Sequence, residues 1–78
     1  MRLRIRDLRE DNDLLQKQLA QYLNCRQQTY SRYETGEGQP PLEVMEKLAY
    51  YYDTSVDYLM GLTDERKPYM RNPKAGGR

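Results

Sequence analysis

The chain of 78 residues has no histidine and one cysteine, Cys25. Without histidine, the commonest general base is missing. A single cysteine excludes an intrachain disulfide, and with no histidine to join it a structural zinc site has no ligand set. No stretch approaches the ~20 apolar residues that a membrane span needs. The opening MRLRIRDLR has the charge of a signal n-region but no apolar segment behind it, so a cytoplasmic location is expected. Strand-type alternation and internal repeats are absent. The scattered Asp and Glu form no catalytic constellation. No enzyme, no metal and no cofactor is therefore expected.

A large excess of positive charge is also missing. The net charge of +1 hides an asymmetry: residues 1–62 carry eight Lys/Arg against ten Asp/Glu, and residues 63–78 carry five against two. A strongly basic body would be a direct footprint of nucleic-acid binding. Here such a reading has to rest on where individual side chains sit.

What is present suits one small, soluble, all-α domain whose core lies near the lower limit of self-sufficiency: 37% of residues are hydrophobic and 32% charged. Residues 3–12 read as a helix, with Ile5 and Leu8 at i, i+3 and Asn12 able to end it. Arg2, Arg4, Arg6 and Arg9 gather positive charge there. Glu10, Asp11 and Asp13 oppose the macrodipole at its far end, which argues for a stop near Asp11–Asp13. A second helix over 15–23 aligns Leu15, Leu19 and Leu23, with small Ala20 allowing close approach. Asn24 tolerates the left-handed conformation that ends helices. A third helix over about 27–34 turns Tyr30 and Tyr33 inward and leaves Gln27, Gln28, Ser31 and Arg32 exposed, with Gly36 closing it.

Glu37-Gly38-Gln39-Pro40-Pro41 is a loop. A fourth helix over about 42–52 presents Leu42, Met45, Leu48, Ala49 and Tyr52 as one wide apolar stripe. Ser55 is a good N-cap for a short fifth helix, Val56–Met60, ended by Gly61. Residues 63–78 lose all periodicity and read as a flexible basic tail behind a body of residues 1–62.

Two adjacent glutamines at the start of a short helix, with an arginine one turn on, suit a recognition helix. A glutamine amide can pair with N6 and N7 of adenine, and an arginine fork with O6 and N7 of guanine. Gln16 and Lys17, at the start of the preceding helix, are placed to meet phosphates, and Arg26 is a further phosphate candidate. In isolation each of these residues is also an ordinary solvated surface residue; the spacing gives them weight together. Tyr50 and Tyr51 read as helix-edge or subunit-contact residues, and Cys25 as core filler. Tyr58, Met60 and Leu62 could form a dimer patch.

The pattern Ile5…Leu8-Arg9, Leu14…Gln16…Leu19-Ala20…Leu23, Gln27-Gln28, Tyr33-Glu34…Gly36, Pro40, Leu48-Ala49…Ser55-Val56-Asp57-Tyr58-Leu59 resembles the Cro and phage-repressor-type (XRE-type) helix-turn-helix family over about residues 3–61. The resemblance implies a compact five-helix bundle in which the second and third helices form the motif. It implies base reading by Gln27, Gln28 and Arg32, backbone contact by Gln16, and an ion pair between Arg9 and Glu34. The implied function is a transcriptional regulator, of the repressor kind, that binds double-stranded DNA as a homodimer. The alternative is a protein-interaction module, such as an antitoxin or regulatory partner, built on the same fold.

Three departures stand out. Leu15 and Arg26 occupy cap positions usually held by small polar residues, and the loop after the third helix carries acidic Glu37 where a basic residue is common.

Overall fold

The computed structural model describes residues 3–70; Arg2 and residues 71–78, the far part of the expected tail, lie outside it. Five helices follow in order: α1 (Ile5–Asp11), α2 (Gln16–Leu23), α3 (Gln27–Thr35), α4 (Leu42–Tyr51) and α5 (Val56–Leu59). No strand occurs among the described residues. α2 packs on α3, and α4 on α5. Arg4 N–H donates to the Leu59 carbonyl at 2.9 Å, tying the start of α1 to the end of α5.

One core joins all five helices: Ile5 and Leu8 from α1, Leu19, Ala20 and Leu23 from α2, Tyr30 from α3, Met45, Leu48 and Ala49 from α4 with Tyr52 just after it, and Leu59 from α5. Cys25, Tyr33, Val56 and Tyr58 pack against it half-buried.

Two leucines of the expected stripes are not in this core. Leu15 is 64% exposed and Leu42 is 70% exposed. Leu15 is the extended residue before α2 (φ −93°, ψ 150°), so its side chain leaves the helical face that Leu19 and Leu23 define. Leu14 packs against the core in its place. Leu42 is the first residue of α4 and stands at the open end of that stripe.

Four of the five helix ends share one device. Asp13, Asn24, Asp53 and Gly61 all have positive φ. After each, a backbone N–H reaches back to a carbonyl five residues earlier: Leu14 to Arg9, Cys25 to Ala20, Thr54 to Ala49 and Leu62 to Asp57, at 2.8–3.0 Å. This is the Schellman closure, which satisfies carbonyls that a helix end leaves bare. α3 ends in the simpler left-handed closure at Gly36 (φ 87°), whose N–H bonds the Arg32 carbonyl at 3.0 Å.

Residues 63–70 form no helix but lie against the body. Arg4 donates to the Thr63 carbonyl at 2.8 Å and pairs with Asp64 at 2.7 Å. Its guanidinium carbon also sits 4.3 Å from the centre of the Tyr58 ring, so Arg4 covers the Tyr58 part of the expected Tyr58–Met60–Leu62 patch, while Leu62 stays exposed. Buried Thr54 donates its hydroxyl to the Arg66 carbonyl at 2.7 Å, and the Tyr69 hydroxyl donates to Asp57 at 2.7 Å.

Candidate nucleic-acid interface

The α2–turn–α3 unit owes its shape to a three-residue break. Asn24 turns left-handed (φ 57°, ψ 46°), Cys25 plugs the turn against the core, and Arg26 is extended (φ −74°, ψ 147°) before α3 starts at Gln27. Tyr30 is wholly buried and anchors the inner face of α3, with the Tyr33 ring edge-on to it at 6.5 Å. Successive residues of a helix step by about 100°, so fixing Tyr30 and Tyr33 inward turns Gln27, Gln28, Ser31 and Arg32 outward.

Those four residues line one concave surface together with Gln16 and Glu37. Lys17 and Arg26 are exposed but do not line it. Neither Leu15 nor Arg26 offers a side-chain cap. At α2 this is partly offset by Gln18, whose Oε1 accepts from the Leu15 N–H at 2.8 Å.

α3 is fixed by a charged knot behind that surface. Arg9 from α1 meets Glu34 of α3 through two hydrogen bonds, Nε to Oε2 at 2.7 Å and Nη2 to Oε1 at 3.1 Å. Its third nitrogen, Nη1, donates to the Leu14 carbonyl at 2.9 Å. Gln16 Nε2 donates to Glu34 Oε1 at 3.0 Å, so α2 joins the knot. The Glu34 side chain is 2% exposed and that of Arg9 13%.

Burial works to raise the Glu34 carboxyl, but the donors around it, Arg9 foremost and then Tyr30 and Gln16, outweigh burial and hold it below its ordinary value. The same contact raises the Arg9 guanidinium. The buried Tyr30 hydroxyl stands beside this carboxylate, short of a well-formed hydrogen bond, and is pushed far up by burial and then by Glu34. A desolvated pair of this kind contributes little net stability, yet it is costly to break. It orients α3 relative to α1 and α2.

This arrangement can present hydrogen-bonding groups to a groove of a duplex. Gln27 and Gln28 carry both donors and acceptors, Ser31 a hydroxyl, and Arg32 a donor fork. The inward donation of Gln16 to Glu34 has no mark in the sequence. One of its two amide hydrogens is thereby engaged, and the other is left for an outside acceptor. Glu37 shares the concave wall with the α3 residues, a placement that apolar spacing does not show. The signal for that lies in Thr35-Gly36: the left-handed turn folds the chain back, and Gly38 N–H bonds the Arg32 carbonyl at 3.1 Å.

A helix-turn-helix family model matches residues 5–59. The chain belongs to the Cro and phage-repressor-type helix-turn-helix family. Among curated relatives, it is 42% identical over 65 residues to the uncharacterized HTH-type transcriptional regulator YobD of Bacillus subtilis (strain 168), which covers 83% of this chain and 58% of that protein. It is 40% identical over 57 residues to the cryptic phage CTXphi transcriptional repressor RstR of Vibrio cholerae, covering 73% of this chain and 51% of that protein. The chain thus spans between half and three-fifths of these relatives' length. No solved structure gives a significant match.

In helix-turn-helix terms, α2 and α3 are the motif, and the matched segment ends with α5. Among the described residues no group of three or more His, Cys, Asp or Glu could hold a metal, and no helix is long and apolar enough to cross a membrane.

Proposed function

We propose that the protein is a sequence-specific DNA-binding transcriptional regulator, acting as a repressor in the cytoplasm. One observation carries the proposal: Gln27, Gln28, Ser31 and Arg32 share an exposed surface on the second helix of the motif, behind which Arg9 and Glu34 lock that helix in place. α3 enters the major groove. Gln27 and Gln28 read adenines, Arg32 reads a guanine, and Ser31 accepts or donates as its neighbour requires. Gln16, through its remaining amide hydrogen, Lys17 and Arg26 hold phosphates on either side. No catalytic step and no cofactor enters this reading.

A single recognition helix reads too few base pairs to single out an operator. The protein therefore binds as a homodimer to two half-sites about one turn, roughly 34 Å, apart. The name of the Vibrio cholerae relative, a transcriptional repressor, supports the sign of regulation. Retardation of duplexes at low salt tests the proposal. The protein should bind random duplex weakly and a selected sequence at least ~10³-fold more tightly. A total lack of retardation would favour the alternative of a protein-interaction module, whose supporting observation is the net acidic charge of residues 1–62.

A further inference from the structure

Glu37 is an acid on a surface that faces DNA. The αL turn at Gly36 brings it back over α3, and the chain then passes close to Arg32: a Cβ on Gly38 would stand 3.4 Å from the Arg32 Cβ. Its backbone N–H donates to Thr35 Oγ1 at 3.4 Å, and that hydroxyl lies 3.3 Å from Glu37 Oε1. Glu37 is therefore held at the wall that Gln28, Ser31 and Arg32 share, while among the described residues no ion pair joins its carboxylate to Arg32 or any other base.

An ionised carboxylate only accepts hydrogen bonds. Phosphate oxygens repel it, and they offer it no donor. The major-groove donors are the amino groups of cytosine and adenine, and acids characteristically pair with the cytosine N4 amino group. We infer that Glu37 is a specificity-determining residue, whose carboxylate accepts a hydrogen bond from the 4-amino group of one cytosine at the edge of the half-site. The inference rests on the protein being a DNA reader. The acid then trades affinity for discrimination. It weakens sequence-blind attraction to any phosphate backbone and is compensated only where a cytosine stands in its path.

Selection from random duplexes by the unmutated protein, E37A and E37Q tests this. Glu37 is exposed, so both variants should fold. The unmutated protein should take cytosine at one position where E37A accepts any base, with all other positions unchanged. That cytosine is then replaced by 2-pyrimidinone, which lacks the amino group. Binding by the unmutated protein should fall about tenfold, the scale of one lost base contact. Binding by E37A should hardly change.

Identical selected sequences for all three proteins would overturn the inference. So would a uniform gain in affinity of E37A for every duplex with unchanged preferences, which would make Glu37 a repulsive charge alone. If the unmutated protein enriches no sequence, DNA reading itself fails, a result distinct from a Glu37 that is silent within a selected site.

Discussion

Gln28 is exposed on the first turn of α3, so its truncation costs little packing, and in the proposed function it removes hydrogen bonds to bases. Gln28→Ala should lose about 1–3 kcal/mol of discrimination at one base pair of each half-site. Competition binding against singly substituted operators checks this, and thermal unfolding should show an unchanged midpoint. Glu34 behaves in the opposite way, since its role is to hold the helix. Glu34→Gln leaves the nearly buried Arg9 without its counter-charge and should cost about 1–3 kcal/mol at neutral pH. The pH dependence has a fixed sign. The Glu34 carboxyl is lowered in the folded state from an ordinary value of 4.5, so its stabilisation is present above that value. It is lost as pH falls through the lower folded value. Unfolding midpoints of the two proteins should differ by a constant amount from pH 7 to 5 and converge below about pH 4.5. The Arg9–Glu34 contact is implied by family resemblance. The inward hydrogen bond of Gln16 had no such signal, because a glutamine at a helix start looks the same whether its amide points to solvent or back to a neighbour.

At the scale of the elements, apolar spacing locates all five helices to within two residues, and it misplaces two side chains. Leu15, Leu19 and Leu23 are evenly spaced, but spacing assumes helical backbone, and Leu15 is extended. Leu42 satisfies the period of α4 yet lies beyond the reach of the other helices. Of the positive-φ ends, Asn24 and Gly61 are legible because Asn and Gly tolerate that conformation at least cost. Asp13 and Asp53 adopt it too, and the sequence marks them only weakly. The missing cap of α2 offers a direct test. Leu15 already has N-cap backbone angles, is largely exposed, and its side chain caps no N–H of α2. Leu15→Ser adds a hydroxyl for the bare N–H groups of α2 and completes a capping box with Gln18. It should stabilise by about 0.5–1 kcal/mol, raising the unfolding midpoint by roughly 2–8 °C for a domain of this size. Calorimetry measures it.

At the scale of the whole molecule, a near-neutral body is combined with a surface of hydrogen-bonding groups. In the proposed function, attraction to phosphates rests on few cations, with exposed Lys17 and Arg26 as the proposed contacts. The logarithm of the binding constant should fall with the logarithm of salt at a slope of about −2 to −3 per protomer, which titration at several salt concentrations reads directly. The docking of residues 63–70 had no periodic signal: Arg4 and Thr54 meet the Thr63 and Arg66 carbonyls, which any residue supplies, and the side-chain contacts Arg4–Asp64 and Tyr69–Asp57 join residues far apart in the chain. The grouping of Gln27, Gln28, Ser31 and Arg32 is legible, because one helix face settles it; for Glu37 the only mark is Thr35-Gly36, which signals a turn but not where the next side chain falls. The central claim is that this surface reads sequence. The most direct measurement is the affinity of the unmutated protein for a duplex selected from a random pool, against the same duplex scrambled. The account predicts a selected site of two half-sites bound at least ~10³-fold more tightly than its scrambled form. Equal affinity for the two would contradict it.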